Sequence, residues 1–223
     1  MPDNSHRGPV SRLPDGARPG LDAADPLAYG TDVSKLLAGA ATADLAEVVM
    51  DQRRRLHERP MRRSGLALAA LETALIDAAV GEILRRAWDQ VDAEGHHCGE
   101  SKRCPVVIGA LGSYGRRELM PHSDVDVLVV APEGNRPGCD QLVRLVYHGI
   151  FDILAQGVKL QIGYSCRSPE TPGELDHKTQ TALLDLRWVA GSADYLREFE
   201  AALDERFDRA AFLLALASER DQA

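Results

Sequence analysis

Two aspartates near the middle of the chain have the type and spacing of metal ligands. Asp124 and Asp126 open the apolar run VDVLVV, and residues two apart on a strand point to the same side. Two carboxylates held this close repel each other unless a divalent cation lies between them, and oxygen ligands at this spacing suit Mg²⁺. The pair therefore predicts a magnesium site, with Asp124 and Asp126 as metal ligands and catalytic residues.

A glycine–serine turn and an arginine pair precede these aspartates. Gly112 and Ser113 directly follow an apolar run over 105–111. Glycine lets the backbone approach a ligand closely, and exposed N–H groups in such a turn hold phosphate oxygens. Arg116 and Arg117 supply guanidinium groups that neutralise phosphate charge. The four residues are predicted to bind a nucleotide beside the metal site.

Helices and short strands must position these residues. The period of the apolar residues predicts helices from 42 onward and over 61–91, 141–156, 179–189 and 193–218, and strands over 105–111, 124–130 and 158–166. This order predicts an α/β (α+β) fold with a small mixed sheet flanked by helices. Three regions are predicted along the chain: a disordered segment over 1–30, a helical segment over 31–95, and a core with C-terminal helices over 96–223.

Composition excludes several classes of protein. The 223 residues carry a net charge of −8, whereas sequence-independent nucleic-acid binding needs a broad basic face. No apolar run approaches the roughly 20 residues that span a bilayer, and the N-terminus lacks the apolar core of a secretory signal. We therefore expect a cytoplasmic chain with no nucleic-acid or membrane partner. Its cysteines are expected to be free thiols: Cys98, Cys104, Cys139 and Cys166.

One stretch leaves a second metal site open. His96, His97, Cys98 and Cys104 crowd into HHCGESKRC, and these are zinc-ligand types. The five-residue gap between the cysteines fits no common zinc-knuckle spacing. A polar loop before a strand is the favoured interpretation, with zinc as the alternative.

The central segment resembles a known family. GSYGRREL, followed by MP and HSDVDVLVV, is similar to the signature of the polymerase-β-type nucleotidyltransferases. More narrowly, it resembles the N-terminal domain of the bacterial PII uridylyltransferases. VKLQIGYSCRS (158–168) is similar to that family's strand with LEVGHSVR, and LLDLRWVAG (183–191) to its Leu-x-x-x-Arg-x-x-x-Gly segment. The resemblance runs from about Arg62 to Phe207.

The resemblance implies a sheet of the polymerase-β type and a transferase that moves a nucleoside monophosphate from a nucleoside triphosphate. In the family, the turn matching Gly112 and Ser113 binds the triphosphate, and the aspartates matching Asp124 and Asp126 bind the metal. For PII uridylyltransferases the donor is UTP and the acceptor is a tyrosine hydroxyl of the nitrogen-signalling protein PII. The implied cofactor is Mg²⁺, and the implied partners are UTP and a PII-type protein.

The chain departs from the family pattern at one site position. The family's third strand presents a glutamate where this chain has Gln161. A neutral amide is a poor base, although its carbonyl oxygen still ligates a hard cation. Gln161 therefore replaces the third catalytic carboxylate, and Asp152 and Glu170 are candidates to supply the missing charge.

A second departure concerns length. The full family enzymes continue into a His-Asp hydrolase domain and sensing domains, and this sequence contains no His-Asp dipeptide. We expect uridylyl removal and glutamine sensing to be absent from it. Two rivals to the uridylyltransferase interpretation stay open: a nucleotidyltransferase with another donor or acceptor, such as an adenylyltransferase, and a non-catalytic nucleotide-binding regulatory module.

Overall fold

The computed structural model describes residues 25–58, 65–95, 106–134, 136–170 and 177–205, with Phe212 and Leu214. The elements follow the chain as α1 (Pro26–Gly39), a 3₁₀ turn (Thr42–Asp44), α2 (Leu45–Glu58), α3 (Gly65–Ala93), β1 (Val107–Ala110), α4 (Gly112–Gly115), β2 (Val125–Val130), α5 (Pro137–Gly149), a π-helical segment (Ile150–Gly157), β3 (Ile162–Arg167), α6 (His177–Leu183), β4 (Arg187–Gly191) and α7 (Ala193–Asp204). The predicted α/β fold with a small mixed sheet flanked by helices is confirmed.

The four strands form one sheet in the order β3-β2-β1-β4. β1 runs antiparallel to β2 and β4, whereas β2 and β3 are parallel. The parallel register pairs Val125 with Ile162 and Asp126 with Gly163. Because β2 and β3 start together, the residues that open both strands lie side by side at one edge of the sheet.

Each face of the sheet is covered by different helices. Alternate strand residues, including Ile108, Val127 and Val129, pack into the large core formed with α1, α2, α3 and α5, which we call the α3 face. The remaining strand residues pack against α7 through Leu196 and Phe199, on what we call the α7 face. Asp126 lies between Val125 and Val127, so its side chain points to the α7 face.

The N-terminal helices form a layer over the α3 face. Asp25 caps α1 by accepting a hydrogen bond from the Leu27 N–H at 2.9 Å, with Pro26 at the first helical position. The 29-residue α3 lies centrally in this layer, where it buries a Leu- and Ala-rich stripe against α1, α2 and α5. The predicted disordered segment over 1–30 is wrong for residues 26–30, which begin α1, while 1–24 lie outside the described residues.

The C-terminal part of the sequence prediction needs correction. Residues 179–189 were predicted as one helix, but α6 ends at Leu183 and Arg187–Gly191 form β4. The apolar residues there fit a helical period, and only pairing with β1 makes the extended form favourable. Likewise 158–161, predicted as strand, link the π-helical segment to β3, and Lys159 has a positive φ of 65°.

Three further findings concern the cysteines, the Gly112 turn and the length of the helices. Cys139 and Cys166 are in no disulfide, as predicted, whereas the HHCGESKRC stretch with His96, His97, Cys98 and Cys104 lies outside the described residues. Gly112–Gly115, predicted as a turn, form a single helical turn. Across the described ranges, no helix combines the length and apolar character that crossing a membrane requires.

Candidate active site

The turn between β1 and β2 starts at a glycine with a left-handed backbone. Gly112 has a φ of +56°, a conformation that side chains with a Cβ rarely adopt. Gly115 and Arg116 donate their N–H groups back to the carbonyls of Leu111 and Gly112 at 2.9 and 3.0 Å. The first N–H groups of such a turn have no partner within it, which suits them to an anionic ligand.

Asp126 lies directly beside this turn. A Cβ built on Gly112 would stand 3.2 Å from Oδ2 of Asp126, and one built on Gly163 would meet Oδ1 closer than 3.0 Å. The half-buried carboxylate is therefore bracketed by a glycine of the turn and a glycine of β3. Its backbone is also fixed, since the Leu111 N–H donates to the Asp126 carbonyl at 3.0 Å.

Asp124 and Gln161 are neighbours at the end of the sheet where the parallel strands β2 and β3 begin. We call this end the mouth of the strand pair. Asp124 immediately precedes β2 and is exposed, and Gln161 immediately precedes β3 and is also exposed. The Val125 N–H donates to the Gln161 carbonyl at 2.9 Å, so the ladder between β2 and β3 begins at these residues. The fold thus gathers Asp124, Asp126 and Gln161 at one end of two adjacent strands.

The two predicted arginines take different directions. Arg116 donates through Nε to Glu118 at 2.9 Å and also pairs with Asp185, and these hydrogen bonds raise the pKa of its guanidinium. Arg117 has a φ of +62° and lines a groove of about 710 Å³ between α1, α3 and β4, on the α3 face. The structure therefore does not bring Arg117 together with the carboxylates, and Arg116 is already held in ion pairs.

A further arginine, Arg187 of β4, is hydrogen-bonded to backbone carbonyls at the end of the turn. Its Nη1 and Nη2 atoms meet the two carboxylate oxygens of Asp77 at 2.9 and 3.0 Å. The same guanidinium donates to the carbonyls of Gly115 and Tyr114, each at 3.1 Å. It lies 5.4 Å from the centre of the Tyr114 ring, which is fully buried. Burial, and then the Asp77 charge, raise the pKa of the Tyr114 hydroxyl well above its ordinary value.

The loop that leads into β2 has a second support. Arg53 of α2 donates to the Pro121 carbonyl at 2.7 Å while its Nε pairs with the buried Glu72 of α3. Glu72 is also approached by Nε2 of His57 at 3.1 Å. Ser123 closes the loop by accepting the Met120 N–H at 3.1 Å. Arg187 thus connects the Gly112 turn to the helical layer, and Arg53 connects the loop before β2 to the same layer.

Neither of the two residues predicted to supply a third carboxylate lies beside Asp124 and Asp126. Glu170 lies beyond Arg167, at the far end of β3 from Gly163, and Asp152 is exposed on the π-helical segment, which packs on the α3 face. Within the described ranges, no three His, Cys, Asp or Glu side chains gather to form a metal cluster. The site therefore holds a carboxylate pair with an amide beside it.

This donor set fits Mg²⁺. All the side-chain donors at the mouth are oxygen atoms, and Mg²⁺ is commonly bound by one or two carboxylates completed by substrate phosphates and water. The cradle around Asp126 exists because Gly112 and Gly163 have no Cβ that would fill it. Asp124 and Asp126 are the residues that would hold the ion, and Gln161 lies next to them.

Comparison with known proteins decides the family. Residues 40–161, more than half of the chain, match the model of the DUF294 nucleotidyltransferases. The chain belongs to the DUF294 nucleotidyltransferase family. The matched range includes the Gly112 turn, the carboxylate pair and Gln161, and the membership confirms the resemblance predicted from these motifs.

Among curated proteins, the chain is similar to enzymes named "Bifunctional uridylyltransferase/uridylyl-removing enzyme". The protein of Bordetella avium is 36% identical over 128 residues, 54% of this chain and 14% of the relative. The protein of Novosphingobium aromaticivorans is 33% identical over 174 residues, 76% of this chain and 17% of the relative. The protein of Cereibacter sphaeroides is 31% identical over 212 residues, 91% of this chain and 21% of the relative. The chain thus spans about a fifth or less of the length of these relatives.

Sequence reasoning missed three residues that form or support the site. The sequence prediction assigns no role to Gly163, and it includes Arg187 only as part of the Leu-x-x-x-Arg-x-x-x-Gly segment. That spacing was the available signal, because it puts Arg187 at the start of β4 and Gly191, with a φ of +91°, at its end. Arg53 carried no signal, since its partners lie 19 and 68 residues away.

Proposed function

We propose that the chain catalyses Mg²⁺-dependent transfer of UMP from UTP to a tyrosine hydroxyl of a PII-type signal protein. Family membership supports the class of reaction, and the names of the curated relatives support the uridylyl group. The observation that carries the proposal is the Asp126 carboxylate, which lies against the Gly112 turn and the glycine of β3. A triphosphate on that turn would have its phosphates beside the carboxylate pair.

Different residues of the site are assigned to phosphate binding, metal binding and acceptance of the hydroxyl proton. The backbone at Gly112 and Ser113 and the Ser113 hydroxyl would bind triphosphate oxygens, while Asp124 and Asp126 would hold Mg²⁺. When bound, the ion neutralises charge on the phosphates and helps align the acceptor oxygen with the α-phosphorus. Gln161 is neutral and cannot take up the hydroxyl proton, so of the three side chains at the mouth only the carboxylates can accept it.

The proposed transfer is a substitution at the α-phosphorus. The acceptor oxygen forms a bond to the α-phosphorus, the bond from that phosphorus to the bridging oxygen breaks, and diphosphate leaves. The positions of Arg53 and Arg187 restrict them to holding the loop and the turn in place. Arg53 is engaged with the Pro121 carbonyl and a carboxylate, and Arg187 with the carbonyls of Gly115 and Tyr114 and a carboxylate.

One observation favours a second candidate, a nucleotide-binding module without turnover. Gln161 stands where relatives of this type are expected to carry a carboxylate, and the described residues offer no substitute. Such a module would keep the Gly112 turn and the Asp124–Asp126 pair for binding Mg²⁺ and nucleotide. Another donor or acceptor, such as ATP, is the third candidate, because the roles proposed for these residues involve only phosphate oxygens, Mg²⁺ and the acceptor hydroxyl, and UTP and ATP have the same triphosphate.

The deciding experiment measures diphosphate release with Mg²⁺ from UTP and from ATP, with and without a PII protein. UMP transfer to PII that needs UTP and is lost in Asp126→Asn supports the proposal. ATP turnover without PII modification would replace uridylyl transfer by another nucleotidyl transfer. Binding of both Mg²⁺ and UTP without turnover would establish the non-catalytic module.

A further inference from the structure

Gly163 of β3 has no local reason to be glycine. It lies inside a strand, where glycine costs roughly 0.5–1 kcal/mol relative to alanine. Its φ does not fall in the positive range that Gly112 and Gly191 occupy, so backbone conformation does not require it. The reason has to come from what surrounds the residue.

The space where a Gly163 side chain would stand is occupied by Asp126. The three atoms nearest to a built Cβ all belong to that aspartate: Oδ1 closer than 3.0 Å, Cγ at 3.2 Å and Cα at 3.6 Å. The Cα separation is an ordinary contact, and it follows from the parallel register that pairs Asp126 with Gly163. The conflict is therefore confined to the carboxylate end of the side chain.

The direction of the Asp126 side chain follows from its two neighbours. On one side lies Leu111, whose side chain is buried in the core beneath α7. On the other side lies Gly163, which leaves open space above β3. With Oδ1 over Gly163, Oδ2 faces the turn, 3.2 Å from the position of a Gly112 Cβ.

We propose that Gly163 is a positioning residue for nucleotidyl transfer, whose missing side chain lets the Asp126 carboxylate lie across β3 and face the Gly112 turn. This rests on the proposed function in assigning Asp126 to the metal. A methyl group at 163 would push the carboxylate out of this position. The backbone would need no change, because the obstructing atoms are the end of a side chain that can rotate.

The test compares Gly163→Ala with Gly81→Ala, a control in α3 whose new methyl would have no atom within 4 Å. Crystal structures give the carboxylate position, thermal unfolding gives stability, and Mn²⁺ binding by electron paramagnetic resonance gives metal affinity without turnover. We expect Gly163→Ala to fold, to move Oδ1 by more than about 1 Å and to bind Mn²⁺ about 10- to 100-fold more weakly, the range seen when supporting groups around a metal ligand are lost. Gly81→Ala should match the wild type in carboxylate position and Mn²⁺ affinity, and its stability should be equal or higher, because alanine is favoured over glycine inside a helix.

Two results would overturn the inference. One is a carboxylate that stays in place in Gly163→Ala, and the other is a displaced carboxylate with Mn²⁺ affinity within twofold of the wild type. If the wild type itself binds no Mn²⁺, the metal assignment in the proposed function fails, and the crystal structures alone decide whether Gly163 sets the Asp126 position.

A second variant covers a failure of Gly163→Ala to fold. In Gly163→Ala combined with Asp126→Ala the obstructing carboxylate is gone, so stability should return to that of Asp126→Ala. A double variant that remains unfolded would show that the methyl group conflicts with something other than Asp126, and the inference would be wrong.

Discussion

Asp77 of α3 and Arg187 of β4 form a two-point ion pair, at 2.9 and 3.0 Å, across 110 residues of sequence. The same guanidinium binds the carbonyls of Tyr114 and Gly115, so one side chain joins the helical layer, the edge of the sheet and the turn. The turn that we assign to phosphate binding is thus held from behind by a planar, fork-shaped group that lysine cannot imitate.

We expect Arg187→Lys to destabilise the protein and to loosen the Gly112 turn. Both partners are mostly shielded, with side-chain exposures of 17% and 23%, so the loss should be about 2 kcal/mol, between the values for surface and buried pairs. Denaturant unfolding measures it. Arg197→Lys, in a pair whose side chains are 70% and 61% exposed, is the control and should change stability by less than about 0.5 kcal/mol. Equal losses of stability in Arg187→Lys and Arg197→Lys would show that the Asp77–Arg187 pair contributes no more than an exposed ion pair.

Asp124→Asn and Asp126→Asn should each abolish transfer while the fold remains. Loss of a coordinating charge should cost several kcal/mol of transition-state stabilisation, or roughly a thousandfold in rate. Asp152→Asn, on an exposed residue of the π-helical segment, is the matched control and should leave turnover unchanged. Rates of diphosphate release, with circular dichroism to confirm folding, provide the measurement. Wild-type turnover in both aspartate variants would exclude the metal site assigned here.

Gly112→Ala should weaken UTP binding, whereas the control Gly134→Ala should lose stability without losing affinity for UTP. Alanine at a φ of +56° is strained by about 1–2 kcal/mol, and its methyl would stand 3.2 Å from Oδ2 of Asp126. Gly134→Ala carries the same kind of strain at a φ of +97° but meets no atom within 4 Å. Calorimetric titration with UTP measures the affinity of each variant, and denaturant unfolding measures its stability. If both variants lose the same stability and neither loses affinity for UTP, the turn does not bind the nucleotide.

Gln161→Glu should raise the apparent Mg²⁺ affinity and raise or create transfer activity. The residue precedes β3 beside Asp124, so a carboxylate there adds a third negative charge to the mouth of the strand pair. Coulomb attraction to a nearby divalent ion remains on the order of a few kcal/mol after screening. Gln156→Glu, an exposed position on the π-helical segment, is the control for added charge alone. A fast wild type that gains nothing from Gln161→Glu would show that the amide is a bystander.

Glu82→Gln should remove stability that depends on pH. Burial alone would raise the pKa of Glu82, but hydrogen bonds from Arg85 and Arg86 outweigh it and hold the pKa below its usual value. A lowered carboxyl pKa stabilises the fold above the unfolded value, and this contribution disappears as the pH falls through the folded value. The wild type should therefore exceed the variant in stability at pH 7, and the gap should narrow below about pH 4. Glu47→Gln, an exposed site, should show no such convergence in denaturant unfolding.

The local features of the site were readable from sequence because they depend on neighbours in the chain. The segment DVDVLVV, which alternates and then becomes wholly apolar, predicts β2, and the two-residue spacing of Asp124 and Asp126 predicts that they share a face. Gly112, predicted to let the backbone approach a ligand, has the positive φ that glycine tolerates. These conclusions need only the period of a strand and the conformational freedom of one residue.

The relationships between distant residues came from the tertiary structure alone. Pairing with β1 makes 187–191 a strand although its apolar spacing also suits a helix, and that pairing carries Arg187 to Asp77. Arg117, whose φ is +62°, lines the groove on the α3 face, whereas the Asp126 side chain points to the α7 face. The register of β2 against β3 sets Gly163 beside Asp126. Strand pairing and side-chain packing join residues far apart in the chain, so no local period of the sequence encodes which side chains meet.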